Sequence, residues 1–177
     1  HYLHRRQRQM CIRDRFAGDY IDRKIIEEVQ SKYSGAQITK DMARRWKEQH
    51  SFVGTSTPDS PVMVDFSIEG KAMTLDITEC VQNACESIVD PIVENVKKLI
   101  AGSNPEYHDQ FRRNMILAGG GSGIAGLGAM IERRLSDLGD VNVHVVDDPV
   151  RLGAMGGLRL AMEVPEEMWK NLTLASR

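Results

Sequence analysis

The stretch MILAGGGSGIAGLG, Met115 to Gly128, constrains this chain more than any other. An apolar run ends in a dense group of glycines and a helix-like segment follows. A chain that gives up side chains here must turn tightly, let something approach its backbone closely, or both. A tight strand-to-helix turn with no ligand is the bland alternative, and the chain entropy that so many glycines lose on folding weighs against it. Within the stretch, GSGIAG, Gly121 to Gly126, has the spacing G-x-G-x-x-G. VNVHVV, 141–146, reads as a second strand, and Asp147 stands 21 residues after Gly126. Strand, glycine turn, helix, strand and acid are the parts of a dinucleotide fingerprint, which would use Gly121, Gly123, Gly126 and Asp147. Two features weigh against it. Such a unit normally opens its domain, yet only 29 residues follow Asp148, with one clear helix and no further strand. Gly119, Gly120 and Gly121 also run together, more glycine than the fingerprint needs, which lets backbone lie flat against a planar base or a sugar.

The rest of the chain supplies the frame. Residues 19–33 place Ile21, Ile25, Ile26 and Val29 on one helical face, and Ser34-Gly35 ends the helix. Residues 39–50 read as a charged helix capped by Thr39, with a thin apolar stripe of Met42 and Trp46. GTSTPDSP, 54–61, is a loop. VMVDFSIEGKAMTLDI suggests a hairpin turning at Glu69-Gly70-Lys71. Thr78 is the expected cap of a long core helix over 79–101, kinked or restarted at Pro91. MILAG is expected as a buried strand, 124–137 as a helix and 150–162 as a glycine-rich helix. EVPEEMWKNL adds a last short helix. The element order is that of an α/β fold with a small inserted β element.

Residues 1–15 stand apart. They carry five arginines against Asp14 and no initiating Met, and MCIRDR resembles translated adapter sequence. They are set aside as a non-native segment, the alternative being a basic arm that grips phosphate. The whole chain has a net charge of −2, which does not suggest nucleic acid as a partner. Its three cysteines have neither metal nor disulfide spacing; Cys80 and Cys85 read as small apolar packers. No metal site is expected, and no apolar run is long enough to span a bilayer.

Four segments in order carry a resemblance over nearly all of 16–177. LAGGGSGIAGLG resembles the adenosine loop of the actin superfamily, in its bacterial actin-like branch. AGDYID, 17–22, resembles the segment after that family's second phosphate loop. WKEQHSFVG, 46–54, resembles the purine-flanking helix with its Lys-Glu pair. DDPVRLGAMGGLRLA, 147–161, resembles the second connecting helix. The tail is most similar to the magnetosome-filament members.

The resemblance implies an actin-like (RNase H-like) ATPase fold. Residues 16–177 would form its C-terminal lobe, with an inserted small subdomain at roughly 34–77 and a connecting helix at 150–162. It implies a nucleotide, ATP with Mg²⁺, held between two lobes. Gly119, Gly120, Gly121 and Ser122 would pass close to base and sugar, Lys47 and Glu48 would line the opposite wall, and Gly18 and Asp19 would sit beside the phosphate loop. Without the resemblance, Lys47 and Glu48 read as a solvated helix face. The family's two phosphate loops and its first connecting helix are not found in 16–177, so this chain is expected to carry no catalytic residue and to bind ATP weakly.

The implied protein is a cytoplasmic, cytoskeletal ATPase that self-associates into filaments and positions organelles, with magnetosome-associated proteins as further partners. Charge placed at Val62, Val64 and Phe66 is expected to weaken filament contacts. A Rossmann-type NAD(P) oxidoreductase and a nucleotide-free interaction module remain the competing readings.

Overall fold

The computed structural model describes residues 18–165 and 168. The expectations for residues 1–15, and most of the expected last helix, lie outside them. Helix α1, Gly18–Lys32, forms because Ile21, Ile25 and Val29 recur at helical spacing, and all three are buried. Gly35 ends the excursion at φ 80°, a left-handed turn that suits glycine. Helix α2, Lys40–His50, starts where the Thr39 hydroxyl oxygen accepts the Met42 N–H at 3.2 Å, in line with the expected cap. Only Ala43 and Trp46 of α2 are buried, so most of its surface is left for other contacts. α1 packs on α2 on one side and on the helix that follows the hairpin on the other.

Strand β1, Ala36–Gln37, β2, Met63–Ile68, and β3, Lys71–Asp76, form an antiparallel sheet in that order. The hairpin turns at Glu69 and Gly70, with φ of 50° and 80°. Two positive φ values in a two-residue turn match the twist of paired strands. Val62, Val64 and Phe66 are buried, with the Phe66 ring 6.0 Å from those of Tyr33 and Trp46. This corrects the expected role of those three positions. They belong to the core, so charge there would unfold the subdomain rather than report on a surface.

Helix α3 is Thr78–Glu86 and α4 is Val89–Ala101. The expected single helix is broken at Ser87-Ile88. Pro91 has no N–H to give to a preceding turn, and it sits in the first turn of α4, where none is required. The expected cap at Thr78 is also corrected. Thr78 is the first helical residue, and the Asp76 carboxylate accepts both its N–H and its hydroxyl. The Thr78 hydroxyl oxygen in turn accepts the Val62 N–H at 2.7 Å, tying the hairpin to the helix. The buried face of α3 includes Cys80 and Cys85, and burial pushes the Cys85 thiol up to about 11. It is a packing group, not a nucleophile.

After a 3-10 turn and the short α5, His108–Arg113, strand β4, Met115–Leu117, runs parallel to β5, Val143–Val145. The expectation of a buried MILAG strand fails at its centre, where Ile116 is 69% exposed. β5 is the only strand paired to β4 among the described residues, so its other edge is unpaired. Met115 and Leu117 pack on the core, while Ile116, on the opposite face, stays open to solvent. The glycine stretch becomes a 3-10 turn, Gly120–Gly123, and α6 begins only at Leu127 and ends at Arg134, shorter than the expected 124–137. Helix α7, Leu152–Glu163, has no buried residue, and Leu152, Met155, Leu158 and Met162 face outward.

One side chain fastens the loop after α2. The Glu86 carboxylate accepts the Gly54 N–H at 3.0 Å and a Gln82 amide N–H at 3.0 Å. These bonds, with Gln82 the larger cause, hold its acid below the ordinary value of 4.5; the Thr78 donors do the same for Asp76. A lowered folded-state acid adds stability above its unfolded value and loses it as pH falls through the folded one. The melting temperature is therefore expected to fall from about pH 5 toward about pH 3. Glu86→Gln is expected to flatten that fall and cost about 1 kcal/mol near neutral pH. A melting profile of the variant parallel to the parent's over that range would contradict the assignment.

Candidate functional site

Two backbone bonds bring distant segments together. The Val53 N–H donates to the Ala125 carbonyl at 2.9 Å, and the Ala125 N–H donates to the Ser51 carbonyl at 3.1 Å. This parallel bridge between Phe52 and Ala125 fixes the C-terminal end of α2 beside the glycine turn. Between them lies a cleft of about 610 Å³. Gly18, Lys47 and Glu48 line it from α1 and α2, and Gly120, Gly121 and Gly123 from the turn; Ile21, Ile88, Ile124 and Val150 make it partly apolar.

The sequence-expected residues divide in three. Gly18, Lys47, Glu48, Gly120 and Gly121 meet in the cleft. Gly119 and Ser122 stand behind it as the turn's own fastening. The Ser122 hydroxyl and N–H both donate to the Gly119 carbonyl, at 2.7 and 3.0 Å, and the Gly119 N–H donates to the Pro149 carbonyl. Asp19 points outward to Lys40 at 3.0 Å, and that ammonium holds its carboxyl below the usual range.

Lys47 is not the solvated lysine that its charged helix suggests. Its ammonium donates to the Gly18 carbonyl at 3.0 Å and lies 2.6 Å from the Asp22 carboxylate. Asp22 is 1% exposed, a buried charge answered by Lys47. Sequence reasoning missed Asp22, although a signal existed. Positions 22, 25 and 29 share one helical face, so an acid stands on an otherwise apolar stripe. Glu48 fits the solvated reading better, pairing with Arg44 at 2.9 Å from a half-exposed position.

The glycines have separate reasons. Gly126 sits at φ 80°, and a Cβ there would come within 2.8 Å of the Val53 carbonyl oxygen. At Gly120, Gly121 and Gly123 a Cβ would meet nothing within 4 Å, so the fold does not require glycine there. The space beside them is the cleft itself. The dinucleotide pattern fares less well. Gly123, Gly126 and Asp147 share a neighbouring hollow of about 430 Å³, but Gly121 is not in it. Gly126 answers to Val53 and Ser56, and α6 begins after the motif rather than inside it. Among the described residues no group of three His, Cys, Asp or Glu is placed to hold a metal, and no helix is long and apolar enough to cross a membrane.

Comparison with known proteins points the same way. The family model described as Salactin matches residues 2–165. The actin-like protein MamK of Paramagnetospirillum magneticum is 38% identical over 156 residues, covering 88% of this chain and 44% of that protein. MamK of Magnetospirillum gryphiswaldense is 35% identical, covering 88% and 43%. Among solved structures, a non-polymerising MamK mutant bound to AMPPNP superposes with a TM-score of 0.76 at 39% identity, covering 83% of this chain and 45% of that one. A MamK double helical filament superposes with a TM-score of 0.77 at 38% identity, covering 84% and 45%. The chain spans less than half the length of the curated relatives it matches. These likenesses give no support to the dinucleotide enzyme or to a nucleotide-free module.

Proposed function

The chain belongs to the Salactin family, among the MamK-like actins, and from that premise we propose that it is the adenosine-binding part of a nucleotide-dependent filament protein. The observation that carries the reading is the convergence of three segments remote in sequence, at Gly18, Lys47-Glu48 and Gly120-Gly121, on one cleft of about 610 Å³. The bare backbone of Gly120 and Gly121 offers a flat surface to base and sugar. Glu48, with one carboxylate oxygen bound to Arg44, keeps the other as an acceptor for ribose hydroxyls. The apolar side chains around them suit a purine. Chemistry at the β- and γ-phosphates, including the Mg²⁺ that neutralises them, falls to groups outside this chain. In the whole protein we assign ATP turnover to filament dynamics, in a cytoplasmic, magnetosome-positioning cytoskeleton with magnetosome-associated proteins as partners.

The test is equilibrium melting with and without Mg-ATP. A ligand of the native state raises the midpoint by mass action, about 2.7 kcal/mol at a hundredfold excess over Kd. A midpoint unchanged at millimolar Mg-ATP would defeat the reading.

The hairpin supplies a surface for the filament. Met63 is 53% exposed on the outer face of the hairpin, and Met73, 44% exposed, lies on the opposite face across from the buried Phe66, so the two carry apolar surface on both sides of it. The double substitution Met63→Asp, Met73→Asp, placed in a whole filament-forming protein carrying this chain, is expected to lower pelleting severalfold. Pelleting equal to the parent's would remove the hairpin from the filament contact.

A further inference from the structure

Buried carboxylates that answer a ligand-facing cation can set where that cation points and how much charge it presents. We propose that Asp22 is a positioning residue of the cleft. It pins Lys47 and cancels its charge, so that Lys47 serves a neutral nucleoside acceptor as a directed hydrogen-bond donor and not a phosphate as a free charge. This role deepens the nucleotide reading and rests on it.

Three observations support it. Asp22 is 1% exposed and its Oδ1 lies 2.6 Å from Lys47 Nζ. That contact is an ion pair off the line of a hydrogen bond, and the aligned bond from Nζ goes to the Gly18 carbonyl at 3.0 Å. A primary ammonium has three N–H donors, so donor capacity remains for a ligand atom. Finally, Lys47 is only 16% exposed in its side chain yet lines the cleft, where a Cβ on Gly18 would already come within 3.0 Å of Nζ. The ammonium is thus confined between α1 and the cleft with little freedom to follow a phosphate. A carboxylate at this distance in a buried setting attracts it strongly, far more than a surface pair would.

The experiment uses the 177-residue chain with adenosine, ADP and ATP as probes, each titrated at two salt concentrations. The variants are Asp22→Asn, Lys47→Met and the double substitution. Pinning predicts that Asp22→Asn weakens adenosine binding about tenfold. The same change should raise the ratio of ATP to adenosine affinity severalfold and make that ratio fall with salt, because Lys47 is then an unanswered cation. Lys47→Met should also lose adenosine affinity, and the double variant should lose no more than either single one. A purely structural Asp22 would lower the melting temperature and leave the ATP to adenosine ratio and its salt dependence unchanged, and that result overturns the proposal. Asp22→Asn can fail to fold, since it unbalances a buried pair. The double variant removes both charges and carries the test in that case. If it binds adenosine as the parent does, the pair does not serve the ligand. If the parent chain binds none of the three probes, both the nucleotide reading and the role of Asp22 fall. If the parent binds and the variants match it, only the role of Asp22 falls.

Discussion

Gly126→Ala is expected to destabilise the chain by about 2–4 kcal/mol, enough to unfold much of a marginally stable domain. Two costs add. The residue sits at φ 80°, where an L side chain costs roughly 1–2 kcal/mol. The new methyl would also lie 2.8 Å from the Val53 carbonyl oxygen and closer still to the Ser56 hydroxyl. The Val53 carbonyl cannot move aside freely, because the Val53 N–H is the donor that binds the Ala125 carbonyl and so joins α2 to the glycine turn. The substitution therefore strikes the fastening that creates the cleft. Urea melts would show the effect directly, and a loss below about 1 kcal/mol would mean that the turn relaxes without needing that contact.

Gly121→Val, five residues earlier in the same stretch, is expected to do the reverse. A Cβ at Gly121 would meet no atom within 4 Å and its φ is not left-handed, so stability should change by less than about 1 kcal/mol. The branched side chain would instead project beside the cleft that Gly121 lines. Overfilling a fitted site costs roughly 1–3 kcal/mol, which corresponds to a loss of about fivefold to a hundredfold in nucleotide affinity. A variant that binds as well as the parent would place the ligand elsewhere. Together the two glycines separate what the fold needs from what the ligand needs.

Much of this was legible in the residues. α1, α2 with its Thr39 cap, and the hairpin at Glu69-Gly70 announce themselves through local periodicity, capping and turn chemistry, which depend on neighbours only. Other features depend on partners distant in sequence. Ile116 belongs to an apolar run that reads as buried, but its burial is decided by what packs over its face of β4, which local pattern does not record. The helix break at Ser87-Ile88 lies ahead of Pro91, where the sequence shows only an unbroken apolar stripe. The role of Lys47 was the least legible. On its own helix it reads as surface charge; it becomes a cleft residue because α1 brings Asp22 and the Gly18 carbonyl to its ammonium. The spacing of GSGIAG was visible from the start, but its meaning turned on the start of α6 at Leu127 and the packing of Gly126 against Val53, which no motif records.

The most direct test of the central claim is a residue-resolved NMR titration of the isotopically labelled chain with adenosine. The account predicts saturable shifts at Gly18, Lys47, Glu48, Gly120 and Gly121, the residues that line the cleft. Shifts confined instead to Gly126, Gly128 and Asp147, which line the neighbouring hollow, or no saturable shift at all, would contradict it.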